Sequence, residues 1–269
     1  LPSEVVYANV GPPAGSPPAS SPPSPPPPEG AADAPSPLPV HLMLEGTIGV
    51  GKSTAVEALT LKFAGDPRVK VLPEPVDAWR ERGLLERMIT GAMTKLEFQL
   101  VALTTLTAPL LEALHDPRVK LVVTERSPLS NKYVFAALNL TPEQLSAYDL
   151  AYLSLLRALP ARREVMAYLQ ADLRTTLYRI RVRGRQEEQS LPHAYLEQLI
   201  AKHEALYSTY EHEKVLVPAD ANADEVAQAL TSLASALLRS PLPDELLERV
   251  MAAAMLTLDL RSLGLLART

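Results

Sequence analysis

Short apolar runs alternate along the chain with longer stretches in which apolar residues recur every three or four positions. Five of the runs have the length and composition of buried strands, and they lie at residues 41–46, 69–72, 121–123, 165–169 and 215–217. The stretches between them have helical periodicity. Strands that alternate with helices predict a parallel sheet covered by helices on both faces, which is the α/β class.

Helix starts are marked by capping signals. Thr94 and Glu97 have the spacing of a capping box in front of a long apolar-periodic stretch. Thr141 and Gln144 repeat that spacing, with proline at the first helical position. Pro109 lies within the first of these helices, and we expect it to kink or shorten that helix.

Proline divides the chain into regions. Fourteen of the 26 prolines lie in residues 1–39, which contain no lysine or arginine. Such a segment buries too little apolar surface to fold, so we predict a disordered, partly polyproline-II tail. Its PxxP spacing could dock an SH3-like domain, and a solvated tail is the simpler interpretation. We predict a folded domain over residues 40–238 and a helical extension over 239–269, which either covers the domain or pairs with a second subunit.

Composition excludes several classes of function. The absence of cysteine excludes disulfide scaffolds, thiol nucleophiles and cysteine metal sites. A net charge of −5 argues against a global positive field for nucleic acid. No apolar run reaches the ~18 residues that span a membrane, and the tail lacks the pattern of a secretory or mitochondrial leader. We expect a cytoplasmic protein, in an infected host cell if its gene is viral, that binds neither membrane nor nucleic acid.

The segment after the first strand has the pattern of a phosphate-binding loop. Residues 46–53 read G-T-I-G-V-G-K-S, between a predicted strand and a predicted helix. Backbone N–H groups of such a loop converge on a phosphate, and the helix N-terminus adds positive potential. Lys52 adds a charge, and Ser53 can ligate Mg²⁺. Nucleotide binding is therefore expected, the alternative being a chance glycine-rich loop.

A guanine-binding signal is missing. GTPases need Asn-Lys-x-Asp, whereas Asn131-Lys132 is followed here by Tyr133-Val134. A kinase that uses ATP is the better hypothesis, and it needs an acceptor site, a base and a cationic cover.

Charged residues follow the second and third predicted strands. Glu74 lies just beyond the second strand, and Glu125 and Arg126 end the third. Because ligands bind at the carboxyl ends of parallel strands, Glu74 could take a proton from an acceptor hydroxyl. Glu125 can complete a Mg²⁺ shell, and Arg126 can hold a hydroxyl, a phosphate or Glu74. The simpler interpretations are a turn carboxylate and a surface ion pair.

Arginines alternate with other residues shortly before two glutamates, Glu187 and Glu188. They are Arg179, Arg181, Arg183 and Arg185. Guanidinium groups this close repel one another unless an anion lies among them, which suits a lid over a transferring phosphate. A solvated basic helix face is the simpler alternative. A nucleic-acid patch is disfavoured by the acidic balance and the lack of interleaved aromatic residues.

Together these motifs resemble the deoxyribonucleoside kinase family, which includes deoxycytidine and deoxyguanosine kinases, mitochondrial thymidine kinase, the insect multisubstrate enzyme and, more distantly, herpesviral thymidine kinases. The matching segments are EGTIGVGKST (45–54), PEPVDAW (73–79), FQ (98–99), TERSPLSNKYVF (124–135) and RIRVRGRQEE (179–188). The resemblance implies a P-loop kinase with a five-stranded parallel sheet in the order 2-3-1-4-5 and an Arg-rich lid. It also implies ATP and Mg²⁺, a deoxynucleoside substrate and a homodimer.

The resemblance further implies roles for single residues. Glu74 would be the general base on the 5′-hydroxyl, Arg126 would hold the same hydroxyl region, and Lys52 would neutralise phosphate charge. The expected ATP contacts are Gly46, Gly49, Gly51, Lys52, Ser53, Thr54, Arg179, Arg181, Arg183 and Arg185. The expected Mg²⁺ ligands are Ser53 and Glu125. The expected nucleoside contacts are Trp79, Gln99, Ala102, Leu106, Asn131, Phe135 and Glu188.

Within the nucleoside pocket the resemblance assigns separate contacts to the base and the sugar. Gln99 would bind the base edge through paired hydrogen bonds. Trp79 and Phe135 would line the base or stack on it. Glu188 would reach the 3′-hydroxyl of the sugar.

Three positions depart from the family pattern. Ile89 stands where a tyrosine usually contacts the 3′-hydroxyl. Asn131 stands where the cytidine and purine enzymes have aspartate and the thymidine enzymes alanine, and Leu106 replaces the arginine that pairs with that aspartate. Without that pair the pocket should have room for a pyrimidine 5-methyl group. This favours thymidine, with deoxycytidine and other deoxynucleosides as alternatives.

Two rival functions remain open at this point. A nucleoside monophosphate kinase would need cations for the acceptor phosphate, and Arg80, Arg82 and Arg87 are candidates. A non-enzymatic ATP-binding adaptor could recruit partners through the Pro-rich tail. An adaptor would need neither Glu74 nor Arg126.

Overall fold

The structure is a computed structural model that describes residues 38–189, 191–220 and 222–239. The predicted Pro-rich tail and the predicted C-terminal helical extension fall almost wholly outside these residues. The boundaries proposed for them therefore stay predictions.

Five parallel strands form the sheet, in the order β2-β3-β1-β4-β5. They are β1 (Val40–Glu45), β2 (Val69–Leu72), β3 (Leu121–Glu125), β4 (Arg163–Gln170) and β5 (Glu213–Pro218). Strand β1 pairs with β3 on one side and β4 on the other, so it is central and all six of its residues are buried. The predicted fold class and sheet order are confirmed.

Helices connect the strands. In chain order the helical elements are α1 (Lys52–Lys62), α2 (Val76–Glu81), α3 (Leu84–Ile89), α4 (Lys95–His115), α5 (Pro128–Ser130), a π-helical stretch (Asn131–Ala136), α6 (Ala137–Asn139), α7 (Pro142–Ala158), α8 (Leu173–Arg183), α9 (Gln186–Gln189), α10 (His193–Thr209) and α11 (Ala223–Arg239). The sequence pattern did not predict the π-helical stretch or the two short helices on either side of it.

The predicted helix starts are present, but the predicted shortening of a helix at Pro109 is wrong. Capping boxes begin α4 at Thr94 with Glu97 and α7 at Thr141 with Gln144. Helix α4 is not shortened at Pro109 and continues to its end at the residue before Asp116. Pro109 lies on the exposed face of the helix, where the lost backbone donor does not disturb core packing.

Apolar side chains cover both faces of the sheet. Leu42 and Leu44 of β1 belong to the cluster that includes α1 and α11. Met43, between them, belongs to the opposite cluster with Val134 and Leu196. This alternation is the two-residue period of a strand buried on both sides. The described part of the chain has no helix long and apolar enough to cross a membrane.

Candidate active site

A cavity of about 810 Å³ opens where the carboxyl ends of β1, β2 and β3 meet. Most of the residues expected to bind ATP, metal or nucleoside line it. These are Gly49, Gly51, Lys52, Ser53, Thr54, Glu74, Trp79, Gln99, Ala102, Leu106, Glu125, Arg126, Asn131, Phe135, Arg179, Arg183, Arg185 and Glu188. Gly46 and Arg181 are the two exceptions, and the fold explains both.

Gly46 shapes the phosphate-binding loop from behind. Its φ is +143°, and a Cβ atom there would lie 2.6 Å from the backbone oxygen of Leu169 on β4. Gly49 has φ +80°, and its Cβ would lie 2.8 Å from Ile180 on α8. Both glycines therefore serve the close approach of the loop to its neighbours.

Lys52 is buried at the N-terminus of α1. Its Nζ donates to the backbone oxygens of Gly46 and Thr47, each at 2.8 Å, so the side chain curls back over the loop. Burial, followed by the nearby charge of Arg126, lowers the pKa of Lys52 from 10.5 to about 7. A phosphate beside this ammonium would restore its charge.

A chain of polar contacts joins the loop to the ends of β2 and β3. Ser53 Oγ donates to Glu125 Oε1 at 2.7 Å, and Glu125 Oε2 accepts from the backbone N–H of Glu74 at 3.3 Å. Glu74 Oε1 in turn lies 2.8 Å from Arg126 Nε in an ion pair. The alternative that Glu125 and Arg126 form only a surface pair is wrong, because both are buried.

Arg126 is held in an unusual conformation. It has φ +66°, in the left-handed region, and it is the only described residue other than glycine with a positive φ. Its guanidinium lies 4.3 Å from the ring centroid of Phe135. Burial opposes its charge, but Glu74, Glu45 and Glu125 outweigh burial and raise the pKa of Arg126. A strained backbone here aims a permanent cation into the cavity.

The pair Ser53 and Glu125 fits a hard divalent cation. A hydroxyl and a carboxylate oxygen lie 2.7 Å apart beside the phosphate-binding loop. Oxygen donors of this kind are what Mg²⁺ takes, alongside phosphate oxygens and water.

Glu45 is a buried carboxylate to which the sequence assigned no role. It ends β1, has no exposed surface, and its Oε1 accepts from Ser127 Oγ at 2.5 Å. Burial raises the pKa of Glu45, against the opposing effects of Ser127, Ser130, Arg126 and Lys52. The signal that could have found it is an acid that ends an otherwise apolar strand just before the loop.

The wall opposite the loop is apolar and aromatic. Trp79 packs edge-to-face on Phe98 with ring centroids 5.4 Å apart, and its Nε1 donates to Thr105 Oγ1 at 3.1 Å. Ala102 and Leu106 follow on the same face of α4. Ile89, where the family pattern has tyrosine, also lines the cavity. Its aliphatic side chain cannot donate a hydrogen bond to a sugar hydroxyl.

One polar group interrupts this wall. Gln99 is buried, and its Oε1 accepts from Asn131 Nδ2 at 3.1 Å. Asn131 Oδ1 accepts from the hydroxyl of Tyr148 at 2.5 Å. Tyr148 is a residue that the sequence did not single out, because nothing local marks one tyrosine of an apolar helix face as a partner of Asn131.

The arginine-rich segment divides by helical geometry. Arg179 and Arg183, four residues apart on α8, face the cavity, whereas Arg181 lies on the exposed side and does not line it. The expected contact of Arg181 with ATP phosphates stays a prediction. Arg179 Nη1 donates to the backbone oxygens of Val50 and Ala219, which ties α8 to the phosphate-binding loop.

The end of this segment is held by ion pairs. Glu188 pairs with Arg183 at 2.5 Å and with Arg185 at 3.5 Å. Glu187, which lines the cavity, pairs with Arg80 of α2 at 2.5 Å. Glu188 thus lies at the cavity and pairs with two arginines. A sugar hydroxyl that bound Glu188 would share its carboxylate with Arg183 and Arg185.

The family model for deoxynucleoside kinase matches residues 42–234, which is most of the chain and contains every residue of this site. The chain belongs to the deoxynucleoside kinase family. It is therefore an enzyme that phosphorylates deoxynucleosides, and ATP is the phosphate donor that the family implies.

Several curated relatives support this assignment. The chain is 31% identical over 179 residues to the thymidine kinase of Ictalurid herpesvirus 1, which covers 62% of this chain and 74% of that protein. It is 28% identical over 194 residues to human deoxycytidine kinase, covering 61% and 74% of the two chains. It is 31% identical over 167 residues to Bacillus subtilis deoxyguanosine kinase, covering 61% and 76%. These relatives are named for different bases, so they leave the base preference of this kinase open.

Proposed function

We propose that this kinase transfers the γ-phosphoryl group of ATP directly to the 5′-hydroxyl of deoxynucleosides, with thymidine favoured and Glu74 as the general base. The observation that carries the proposal is the Glu74–Arg126 ion pair of 2.8 Å at the carboxyl ends of β2 and β3 beside the phosphate-binding loop, in which Arg126 is buried and Glu74 partly buried. That edge of a parallel sheet is where an acceptor would meet the phosphate.

Each charged group has a task in an in-line transfer. Glu74 accepts the proton of the 5′-hydroxyl as the bond to phosphorus forms, and Arg126 holds that hydroxyl and Glu74 in place. Lys52 and the arginines at the cavity, Arg183 and Arg185, neutralise charge on the phosphate oxygens. Mg²⁺, which Ser53 and Glu125 would hold, supplies further neutralisation of the phosphates when bound.

The nucleoside side of the cavity supports a pyrimidine. Trp79 offers an aromatic face and Gln99 an amide for paired hydrogen bonds with a base edge. Ala102 and Leu106 line the same cavity as Asn131, and Leu106 stands where the family pattern has arginine. An apolar wall of this kind accommodates a 5-methyl group, which favours thymidine over deoxycytidine. We further propose that the kinase acts as a cytoplasmic homodimer, as the resemblance implies.

The monophosphate-kinase alternative finds less support. Arg80, Arg82 and Arg87 do not line the cavity in the part of the chain that the structure describes. Arg80 is engaged by Asp77 and Glu187. An adaptor that only binds ATP would not need a strained, buried Arg126 paired with the Glu74 carboxylate.

The test is ATP-dependent phosphorylation of thymidine, deoxycytidine, deoxyadenosine, deoxyguanosine and thymidine monophosphate, side by side with Mg²⁺. We expect each of the four nucleosides to be phosphorylated faster than thymidine monophosphate, and thymidine to be phosphorylated fastest. Dominant deoxycytidine or purine turnover would overturn the thymidine preference and leave the chemistry intact. Phosphorylation of thymidine monophosphate alone would overturn the choice of acceptor.

A further inference from the structure

A phenol stands directly behind the base-binding wall. Tyr148, on α7, has no exposed surface and does not line the cavity, yet its hydroxyl donates to Asn131 Oδ1 at 2.5 Å. Asn131 Nδ2 donates onward to Gln99 Oε1 at 3.1 Å, and Gln99 lines the cavity. The phenol is therefore linked through one amide to the group that faces the base.

The phenol gives this hydrogen-bonded chain a direction. Asn131 Oδ1 is the acceptor of the Tyr148 hydroxyl among the described residues. If the chain were reversed, Asn131 would donate to the phenol, and the phenol hydrogen would be buried without an acceptor. A buried donor without a partner is costly, so the hydroxyl fixes the orientation of Asn131, and Asn131 fixes that of Gln99.

The Tyr148 hydroxyl stays a hydrogen-bond donor over the pH range in which the kinase is assayed. Burial raises the pKa of the Tyr148 hydroxyl far above its usual value, and the neighbouring Tyr152 and Asp149 act in the same direction. The phenol therefore keeps its hydrogen, and the chain keeps its direction.

The direction of the hydrogen-bonded chain matters because thymine and cytosine present opposite patterns of hydrogen-bond donors and acceptors. Thymine offers a carbonyl acceptor beside a ring N–H donor, whereas cytosine offers an amino donor beside a ring nitrogen acceptor. One fixed orientation of an amide complements one of these edges. To complement the other, the Gln99 amide must turn over, which would place its Nε2 against Nδ2 of Asn131, donor to donor.

We propose that Tyr148 is a positioning residue that sets the choice between thymine and cytosine, by fixing through Asn131 the orientation in which the Gln99 amide meets the base edge. This inference rests on the proposed nucleoside kinase activity. It adds a residue outside the cavity to the determinants of selectivity.

The test compares Tyr148→Phe with Tyr152→Phe. Tyr152 lies on the same helix, is also buried, and stacks on Tyr148 with ring centroids 6.3 Å apart, so its variant is a matched loss of one hydroxyl. We expect Tyr148→Phe to move the ratio of kcat/KM for thymidine and deoxycytidine towards one by roughly tenfold, through KM, with the KM for ATP unchanged. Tyr152→Phe should keep the ratio within about twofold of wild type.

A second variant tests the inference independently if Tyr148→Phe does not fold. In Asn131→Asp the carboxylate accepts from both Tyr148 and Gln99, so Gln99 must present Nε2 to it and turn over. The preferred pyrimidine should then change to the other one. A ratio that stays at the wild-type value in folded Tyr148→Phe, or in Asn131→Asp, would overturn the inference.

Binding separates this inference from the proposed function. Trp79 is the single tryptophan and lines the cavity, so its fluorescence reports nucleoside binding without turnover. A wild type that binds thymidine and deoxycytidine unequally but phosphorylates neither contradicts the proposed function and leaves the Tyr148 inference testable by the same ratio of Kd values. A wild type that binds both equally, or neither, overturns the inference.

Discussion

The two ends of the cavity are built on different physical principles. At the phosphate end, a loop and two strand ends bring together four ionisable groups, of which Lys52, Glu125 and Arg126 are buried and Glu74 is partly buried. At the base end, apolar side chains from several helices surround a single polar chain that begins at Tyr148. Charge and backbone geometry dominate the first end, and packing and hydrogen-bond direction dominate the second.

The two ends of the cavity separate the chemical step from the recognition of the base. Groups that develop or neutralise charge must be fixed and desolvated, which the strand ends supply. Groups that distinguish bases need only a modest bias between two similar ligands, which one hydrogen-bond chain supplies. We therefore expect changes at the phosphate end to act on kcat and changes at the base end to act on KM.

The largest expected effect is that of Glu74→Gln. Loss of a general base costs roughly 10²- to 10⁴-fold in kcat. The shape of the side chain is kept, so the affinity for nucleoside, followed by Trp79 fluorescence, should change by only a few-fold. Glu81→Gln, on the exposed surface of α2, is the matched control and should leave kcat unaltered. Equal kcat values for the two variants would contradict the role of Glu74.

A backbone change at the phosphate end comes next. Gly46→Ala would place a Cβ 2.6 Å from the backbone oxygen of Leu169, at φ +143°. We expect a loss of roughly 3 kcal/mol or more in the free energy of unfolding, measured with urea. Gly65 has φ +80° with no atom within 4 Å of an added Cβ, so Gly65→Ala should cost about 1 kcal/mol. Similar losses for the two variants would show that the close approach at Gly46 does not matter.

The base end should respond in KM. Gln99→Leu keeps the size of the side chain and removes its hydrogen bonds to a base edge. The KM for thymidine should rise by roughly tenfold, while the KM for ATP stays within about twofold, because the two ligands meet different ends of the cavity. Steady-state kinetics with each substrate varied in turn measures both values. A rise in the KM for ATP as large as that for thymidine would contradict the separation.

A smaller effect is expected on the number of protons taken up when Mg²⁺–ATP binds. Burial lowers the pKa of Lys52 to about 7, and bound phosphates should raise it again. At pH 8 the ligand-free side chain is mostly neutral, so binding of Mg²⁺–ATP should take up part of one proton. At pH 6 Lys52 is charged in both states, and its contribution should vanish. Calorimetry in two buffers of different ionisation enthalpy measures the uptake, and an equal uptake at both pH values would exclude Lys52 as its source.

The phosphate end was largely predictable from the sequence. The loop, Glu74, Glu125 and Arg126 each follow a strand directly, and parallel topology then brings strand ends together. Local patterns did not reveal the left-handed backbone of Arg126 or the burial of Glu45, because neither a single backbone angle nor the burial of one polar residue follows from the order of apolar and polar positions.

The base end was less predictable. The residues of the base end were assigned from the family resemblance. Their hydrogen bonds depend on the packing of α4, α7 and the π-helical stretch that carries Asn131. A π-helical turn has no simple sequence period. The alternation of arginines also did not show which of them share a helix face, and in the structure Arg179 and Arg183 line the cavity whereas Arg181 does not.

The separation of the two ends is tested most directly by a double-mutant cycle of Glu74→Gln and Gln99→Leu. Phosphorylation of thymidine by the wild type, both single variants and the double variant gives kcat and kcat/KM for each. We expect that Glu74→Gln lowers kcat, that Gln99→Leu raises KM, and that their effects on kcat/KM add within about 0.5 kcal/mol. A coupling energy well above that value, or a loss of kcat in Gln99→Leu comparable to that in Glu74→Gln, would contradict the separation.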